Sequence, residues 1–306
     1  MKKVISIGIT ILLIVGILYV GVNYGQEITH YAIDKFVMKK EIIVPSSNQY
    51  KKTENFQYVQ NTDNFKPSNK QEILNIYYTV LNSGWTDFTF YCPNEYTNCI
   101  EDVKSISKDD NTLSNINNFV HPYNSYDNIK TLYNDYGKVN LKITKTYDND
   151  QVAVIDEKAN QIYTELINDS MTLEQKIQTI HDYIINSTKY DQSFVIGAQS
   201  NTYEANNAYG PLFQGFAICS GYSDAMAIFL SKMNIPNIKI ASEKHLWNLV
   251  QINGRWVHLD LTWDDPVTSN GSDMLLHKFF LIDTPTLESL DLEQHNFDKT
   301  VYVEAT

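Results

Sequence analysis

From Val4 to Val22 the chain is dominated by Ile, Leu, Val and Gly, and no charged side chain appears from Val4 through Gln26. As a helix this stretch is about 35 Å long, enough for a hydrocarbon core of about 30 Å. No Ala-x-Ala cleavage pattern follows it, so the pattern predicts a retained transmembrane signal anchor over residues 1–26. Lys2 and Lys3 should stay inside and the bulk of the chain outside, although Lys35, Lys39 and Lys40 stand on the far side. Residues 27–69 then read as a juxtamembrane segment and polar stalk. Ser46 to Asn69 is rich in Ser, Asn, Gln, Lys and Thr and shows little apolar periodicity.

Globular patterning begins near Lys70. Ile73, Ile76, Tyr77, Val80 and Leu81 fall at helical spacing until Gly84 stops the pattern. Asp87 to Cys92 is aromatic and β-prone, and Lys138 to Tyr147 alternates Val139, Leu141 and Ile143 like a strand. Residues 70–147 therefore predict a small α+β region with no chemical signature of its own. A helix-rich stretch starts at about Asp148, opening the second region, 148–306. Thr172 with Gln175 forms a capping box ahead of Leu173, Ile177, Ile180 and Ile184 on one helical face. Tyr222, Ala225, Met226, Phe229, Leu230 and Met233 trace another face, ended by Asn234 and Pro236. That helix starts at about Cys219 or Ser220, after a turn at Gly215.

The strongest short-range signal is Asn253-Gly254, a two-residue hairpin turn between His245–Ile252 and Arg255–Thr262. Pairing Ile252 with Arg255 puts Leu246, Asn248, Val250, Ile252, Val257, Leu259 and Leu261 on a largely apolar face, turned to the core. His245, Trp247, Leu249, Trp256, His258, Asp260 and Thr262 share the other face. In this register His245 faces Thr262. Asp260 is then its diagonal neighbour, near enough for a carboxylate–imidazole hydrogen bond.

Composition narrows the partners. Hydrophobic residues at 43% and charged residues at 20% of 306 fit a globular protein rather than a disordered one. The balance of 24 basic against 36 acidic residues, with no long basic run, argues against nucleic acid and against a polybasic membrane patch. Cys92 and Cys99 lie close together while Cys219 stands alone. In an extracytoplasmic chain the pair predicts a disulfide, with Cα atoms within about 7 Å; the alternative is unrelated buried thiols. No Cys-x-x-Cys occurs, and Cys219, His245 and Asp260 are too few for a closed metal site, so no metal or cofactor is expected.

A thiol at a helix N-terminus meets unpaired backbone N–H groups and the positive end of the dipole, which favour the thiolate. The same N–H groups are placed to hold an oxyanion. With His245 as base and Asp260 fixing its tautomer, the set is that of nucleophilic acyl transfer. Cys219 attacks a carbonyl, the leaving amine takes a proton from His245, and a thioester forms. Water then gives hydrolysis, and an amine gives cross-linking. The bland readings are a buried thiol and a structural His–Asp pair.

The segment Gly215-Phe216-Ala217-Ile218-Cys219-Ser220-Gly221-Tyr222-Ser223-Asp224-Ala225 resembles the nucleophile segment of transglutaminase-like domains. His245-Leu246-Trp247-Asn248 resembles their histidine motif, and Asp260-Leu261-Thr262-Trp263-Asp264-Asp265-Pro266 their aspartate motif. His181-Asp182-Tyr183, Lys189-Tyr190-Asp191 and His277 to Asp283 extend the likeness over about Asp148 to Phe297. The resemblance implies a papain-like α+β core, a nucleophile helix packed on an antiparallel sheet, with Cys219, His245 and Asp260 as the triad. Joined to the N-terminal anchor, it makes the expected protein a membrane-anchored, extracytoplasmic enzyme that transfers acyl groups from protein or peptide amides to water or an amine. The competing class is a binding or scaffold module that kept the fold and lost the chemistry. Nothing looks like a calcium loop. Tyr190 and Gln214 are candidate oxyanion donors, and Trp247 and Trp263 candidate walls of the acyl-donor cleft, with core packing the alternative for each tryptophan. Asp264 and Asp265 are weaker candidates for the orienting carboxylate, and His258 reads as structural.

Overall fold

The computed structural model describes residues 10–25, 28, 60–195, 203–267 and 274–306. A first helix, α1, covers 10–25, and its Ile11, Leu12, Leu13, Ile14, Val15, Ile17 and Leu18 are exposed. Among the described residues no helix is long and apolar enough to cross a membrane. The opening positions of the expected anchor and residues 29–59 of the expected stalk lie outside the described residues.

The chain then folds as a mixed α/β protein with antiparallel sheets. Helix α2 (Lys70–Asn82) starts where Asn69 accepts from the Glu72 N–H. Strand β1 (Asp87–Tyr91) follows, then α3 (Cys99–Ile106), α4 (Asp110–Asn117), β2 (Tyr126–Tyr133) and β3 (Lys138–Lys145). The three strands pair antiparallel in the order β1-β3-β2. Strand β2 has little alternation and is exposed along most of its length, so periodicity gave no signal for it. Cys92 and Cys99 form a disulfide, Cα atoms 5.7 Å apart, tying the end of β1 to the first turn of α3.

The second half opens with α5 (Asn149–Leu166) and α6 (Leu173–Ser187), both started by capping boxes, Asp148 with Gln151 and Thr172 with Gln175. Next come β4 (Lys189–Tyr190), α7 (Gln192–Val195), β5 (Phe216–Ala217) and α8 (Cys219–Lys232). Strands β6 (Asn237–Ala241), β7 (Leu246–Ile252) and β8 (Arg255–Leu259) lead into the short helix α9 (Leu261–Asp264). Strand β9 (Phe280–Ile282) and helices α10 (Thr284–Leu290) and α11 (Leu292–His295) complete the chain. Strands β6 to β9 form one antiparallel sheet in sequence order.

The Asn253-Gly254 turn takes left-handed φ at both positions, 50° and 81°, and pairs Ile252 with Arg255 and Asn248 with Leu259. One expectation built on that hairpin needs correcting: β8 ends at Leu259, and Asp260 is the N-cap of α9, so Thr262 does not face His245 in a ladder. Both faces of the hairpin are covered. Val250, Ile252 and Leu259 join one core with Ile155, Ile180, Met226 and Phe229 of the helices. Trp247, Leu249 and Trp256 join a second core with residues of α2, α4 and the C-terminal tail. A sheet covered on both faces reads as a nearly continuous apolar run, as Trp247–Val250 do.

A buried ion pair fixes α8 on this sheet. Lys239 Nζ on β6 donates to Asp224 Oδ1 at 2.7 Å, and the Tyr147 hydroxyl donates to Asp224 Oδ2 at 2.7 Å. Both charged side chains are less than a tenth exposed. Asp224→Ala therefore strands a buried ammonium and should cost about 3–5 kcal/mol. Lys239→Met strands the carboxylate instead, though Tyr147 still bonds it. Urea melts of both variants check this; a loss below about 1 kcal/mol for Asp224→Ala would contradict it.

Candidate active site

Cys219 is the first residue of α8, after an extended N-cap at Ile218. Gly215 at φ +74° makes the left-handed turn that ends the preceding π turn (Gly210–Gln214). Two residues beyond Cys219, a Cβ on Gly221 would meet the Ala205 carbonyl oxygen at 2.3 Å. Only glycine lets the 205–207 segment run so close, where Ile218 N donates to Ala205 O and Ser220 Oγ to Asn206 O. Strand β5 pairs in parallel with β4, Ala217 opposite Tyr190, which brings Tyr190 beside the nucleophile turn. Helix α8 is tied to β7 where Asn248 Nδ2 donates to Ser223 O.

His245 sits one residue before β7, in a turn organised by Ser242. Ser242 Oγ accepts from the backbone N–H groups of Lys244 and His245 and donates to the Gln294 carbonyl. The imidazole stacks on Trp247, ring centres 5.5 Å apart and planes 13° apart. Its Nε2 meets Asp260 Oδ2 at 2.6 Å, and Cys219 lies near enough to the same ring to raise its pKa. With Nε2 occupied by Asp260, Nδ1 is the nitrogen left for the thiol.

Asp260 is 1% exposed and accepts four hydrogen bonds. Oδ1 takes the Thr262 and Trp263 N–H groups at 2.9 and 3.2 Å, the ordinary work of an N-cap. Oδ2 takes His245 Nε2 and, at 2.9 Å, Nε2 of His295. Ending the strand at Leu259 is what turns the carboxylate toward both imidazoles.

The charges follow from these contacts. Burial pushes the His245 imidazole down, but the charge and hydrogen bond of Asp260, then Cys219, outweigh it and lift it to about 10. Burial raises Asp260, yet His245 and His295 hold it well below the usual carboxylate range. His258 behaves oppositely: burial, then His295, hold it down to about 3. Its tautomer is set, because the Trp247 indole N–H donates to Nδ1 at 3.1 Å, leaving Nε2–H to donate to Thr284 Oγ1. Tyr190 is half-buried, its hydroxyl raised by burial first and then by Cys219, Asp191 and Asp260.

The remaining candidates fall out as follows. Gln214 Oε1 accepts from the Glu204 N–H at 2.7 Å, so its carbonyl pins the neighbouring loop. Trp247, at 1% exposure, is core and backs the His245 ring rather than walling an open cleft, which corrects that expectation. Trp263 is partly buried and packs on Phe279 and His295. Asp264 bonds His181 Nε2 and the Phe279 N–H, and Asp265 accepts from the Tyr222 hydroxyl. Asp260 is the carboxylate on His245. His295 was not a candidate from sequence: it lies 35 residues from Asp260 in a polar stretch with no motif around it.

Among the described residues two groups bring metal-ligand atom types together, His245 with Asp260 and His295, and His181 with Asp182 and His277. In the second, His181 Nδ1 and His277 Nε2 lie 2.8 and 2.7 Å from Asp182 Oδ1. Zinc–nitrogen bonds of about 2.0 Å in a tetrahedron hold neighbouring ligands about 3.3 Å apart. The shorter separations here are those of proton-bridged pairs.

Comparison with known proteins bears on the same segment. Residues 160–261 match the family model of the transglutaminase-like superfamily. That segment is transglutaminase-like. Cys219, His245 and Asp260 all fall inside the matched segment, and His277 and His295 outside it. Two solved structures are similar to the chain. One is a TGase, 14% identical, with a TM-score of 0.34, covering 45% of this chain and 44% of its own. The other, from Cytophaga hutchinsonii and provisionally named a cysteine protease, is 16% identical, with a TM-score of 0.28. It covers 48% of this chain and 65% of its own, so the match spans less than two thirds of either structure. No curated protein matches the chain.

Proposed function

We propose that the transglutaminase-like domain is a cysteine acyl-transfer enzyme that cleaves or exchanges amide bonds of proteins or peptides through a thioester on Cys219. One observation carries this reading: a single buried imidazole, His245, is held by the Asp260 carboxylate through Nε2 while Cys219 also acts on its charge. Burial alone would leave His245 neutral, and Asp260 makes it a cation beside the sulfur. A cationic imidazole stabilises a thiolate and then supplies the proton that the leaving amine needs. The first-turn N–H groups of α8 and the Tyr190 hydroxyl, brought beside the nucleophile turn by the β4–β5 pairing, are the donors this reading assigns to the oxyanion. The domain works outside the cytoplasm, held by the N-terminal segment; the exposed apolar side chains of α1 and the Cys92–Cys99 disulfide support that placement.

Labelling with a thiol-directed probe, followed by screening of peptide amides as acyl donors with water or a primary amine as acceptor, tests the chemistry. Labelling of Cys219 at neutral pH with acyl transfer to either acceptor is expected. A fully folded protein whose thiol reacts no faster than free cysteine would leave a binding module. Protease shaving of intact cells tests placement, with the domain expected to be cut away before lysis and full protection as the contrary result.

A further inference from the structure

His295 has no part in the triad as read from the sequence, yet it shares the triad's carboxylate oxygen. Its Nε2 lies 2.9 Å from Asp260 Oδ2, the same atom that holds His245. Its Nδ1 faces the Asp291 carbonyl and Asp291 Oδ2, each at 3.1 Å, so both ring nitrogens point at acceptors. The side chain is fully buried, edge-on to His245 and Trp247 and stacked on Phe279. Delivery of this ring is built into the segment around it. Gln294 O takes the Ser242 hydroxyl, Glu293 pairs with Lys244, and Phe297 bridges to Ser242. The one segment thus grips the turn that carries His245 and supplies a second donor to Asp260.

We propose that His295 is a positioning residue of the acyl-transfer site, which holds Asp260 Oδ2 in line with His245 and limits how tightly that carboxylate retains the His245 proton. This rests on the reading of Cys219 and His245 as the reacting pair. The physical case is that a hydrogen bond donated to a carboxylate draws charge from it. A fully buried Asp260 whose Oδ2 faced His245 alone would bind the imidazolium more strongly, and an acid held too tightly transfers its proton to a leaving amine poorly. A second donor on the same oxygen moderates that hold and also fixes the torsion of the carboxylate. The other titratable groups around the pair are Cys219 on α8, Tyr190 on β4, His258 on β8 and Asp291 ahead of α11. None of these four donates to Asp260 among the described residues.

The test uses the full chain and iodoacetamide, which needs no knowledge of the acyl donor; with Cys92 and Cys99 bonded, Cys219 is the thiol it reads. The alkylation rate is followed from pH 4 to 11 for wild type, His295→Ala and His295→Gln. In His295→Ala the upper transition, where His245 gives up its proton, should move up by about one pH unit. Turnover should fall about 10- to 100-fold with KM little changed. His295→Gln keeps an N–H donor on Oδ2 and should bring both back toward wild type. A role in packing alone would lower melting temperature in both variants and leave the alkylation profile superimposed on wild type, and that result overturns the proposal. If His295→Ala does not fold, nitrogen-15 spectra of the wild type decide instead: Nε2 of His295 should carry a slowly exchanging proton, and an unprotonated Nε2 overturns it. Wild-type Cys219 that is unreactive below neutral pH would instead defeat the reading of the reacting pair itself.

Discussion

Cys219→Ala should abolish probe labelling and lower turnover by about 10⁶-fold, while the fold survives. The expected size follows from what the substitution removes. Without the sulfur no thioester forms, and only the N–H groups of the α8 first turn and substrate binding remain to assist attack by water. Stability should change by only about 0.5 kcal/mol, because Cys219 is a partly exposed first-turn residue with no packing role and alanine is a good helix former. His245→Ala makes a useful companion. It retains the thiol and removes the cation beside it, so alkylation at neutral pH should slow markedly while the cysteine remains titratable by a strong thiol reagent under denaturing conditions. Turnover of Cys219→Ala within a few-fold of wild type would show that the acyl transfer, if present, does not pass through this thiol. The chain would then return to the class of binding modules, with Cys219 a partly exposed thiol at the start of α8.

The parts of this site that could be read from sequence are those that depend on local rules. The Asn253-Gly254 turn fixed the β7–β8 register to the residue, since both positions need left-handed φ and few other dipeptides tolerate it. The stripe from Tyr222 to Met233 placed Cys219 at a helix start, and Thr172 with Gln175 placed the start of α6. What failed was set by distant residues. Nothing near Leu259 announces that the strand ends there; Asp260 caps α9 because the Thr262 and Trp263 N–H groups turn toward it. The face carrying Trp247 and His258 has mixed chemistry, which says nothing of its burial. It is buried because Phe297, Tyr302 and the helices of the 70–147 region cover it, and periodicity within one hairpin cannot register a second covering layer. His295 was invisible for the same reason: its role is a contact across 35 residues, and its own stretch shows only short helices capped by Asp283 and Asp291.

Asp260 is where these two kinds of information meet, and its removal should have the second largest effect. Asp260→Asn is expected to lower kcat by about 10⁴-fold with KM nearly unchanged, the size seen when a triad histidine loses the acceptor that sets its tautomer. The amide oxygen can still cap α9 through the Thr262 and Trp263 N–H groups, but its NH₂ then faces two imidazole N–H donors. Asp260→Ala leaves those four donors without the carboxylate and should cost about 3–5 kcal/mol of stability as well. The pH dependence carries a definite sign. In wild type the imidazolium of His245 is present below about 10 and is lost above it, so acyl transfer should hold its rate well into alkaline pH. Without the carboxylate, the main force raising His245 is gone, and the upper limb should fall toward the ordinary imidazole value of 6.5 or below, since burial pulls the same way. Folding stability follows the same linkage. The contribution of the raised His245 is complete below 6.5 and disappears as pH rises through about 10, so wild type should lose stability across that window and Asp260→Asn should not. The downward shift here opposes the upward one expected for His295→Ala, so one pair of profiles separates loss of the carboxylate from loss of the donor that moderates it. An upper limb that stays in place in Asp260→Asn would mean that another group sets the charge on His245, and the triad would lose its third member.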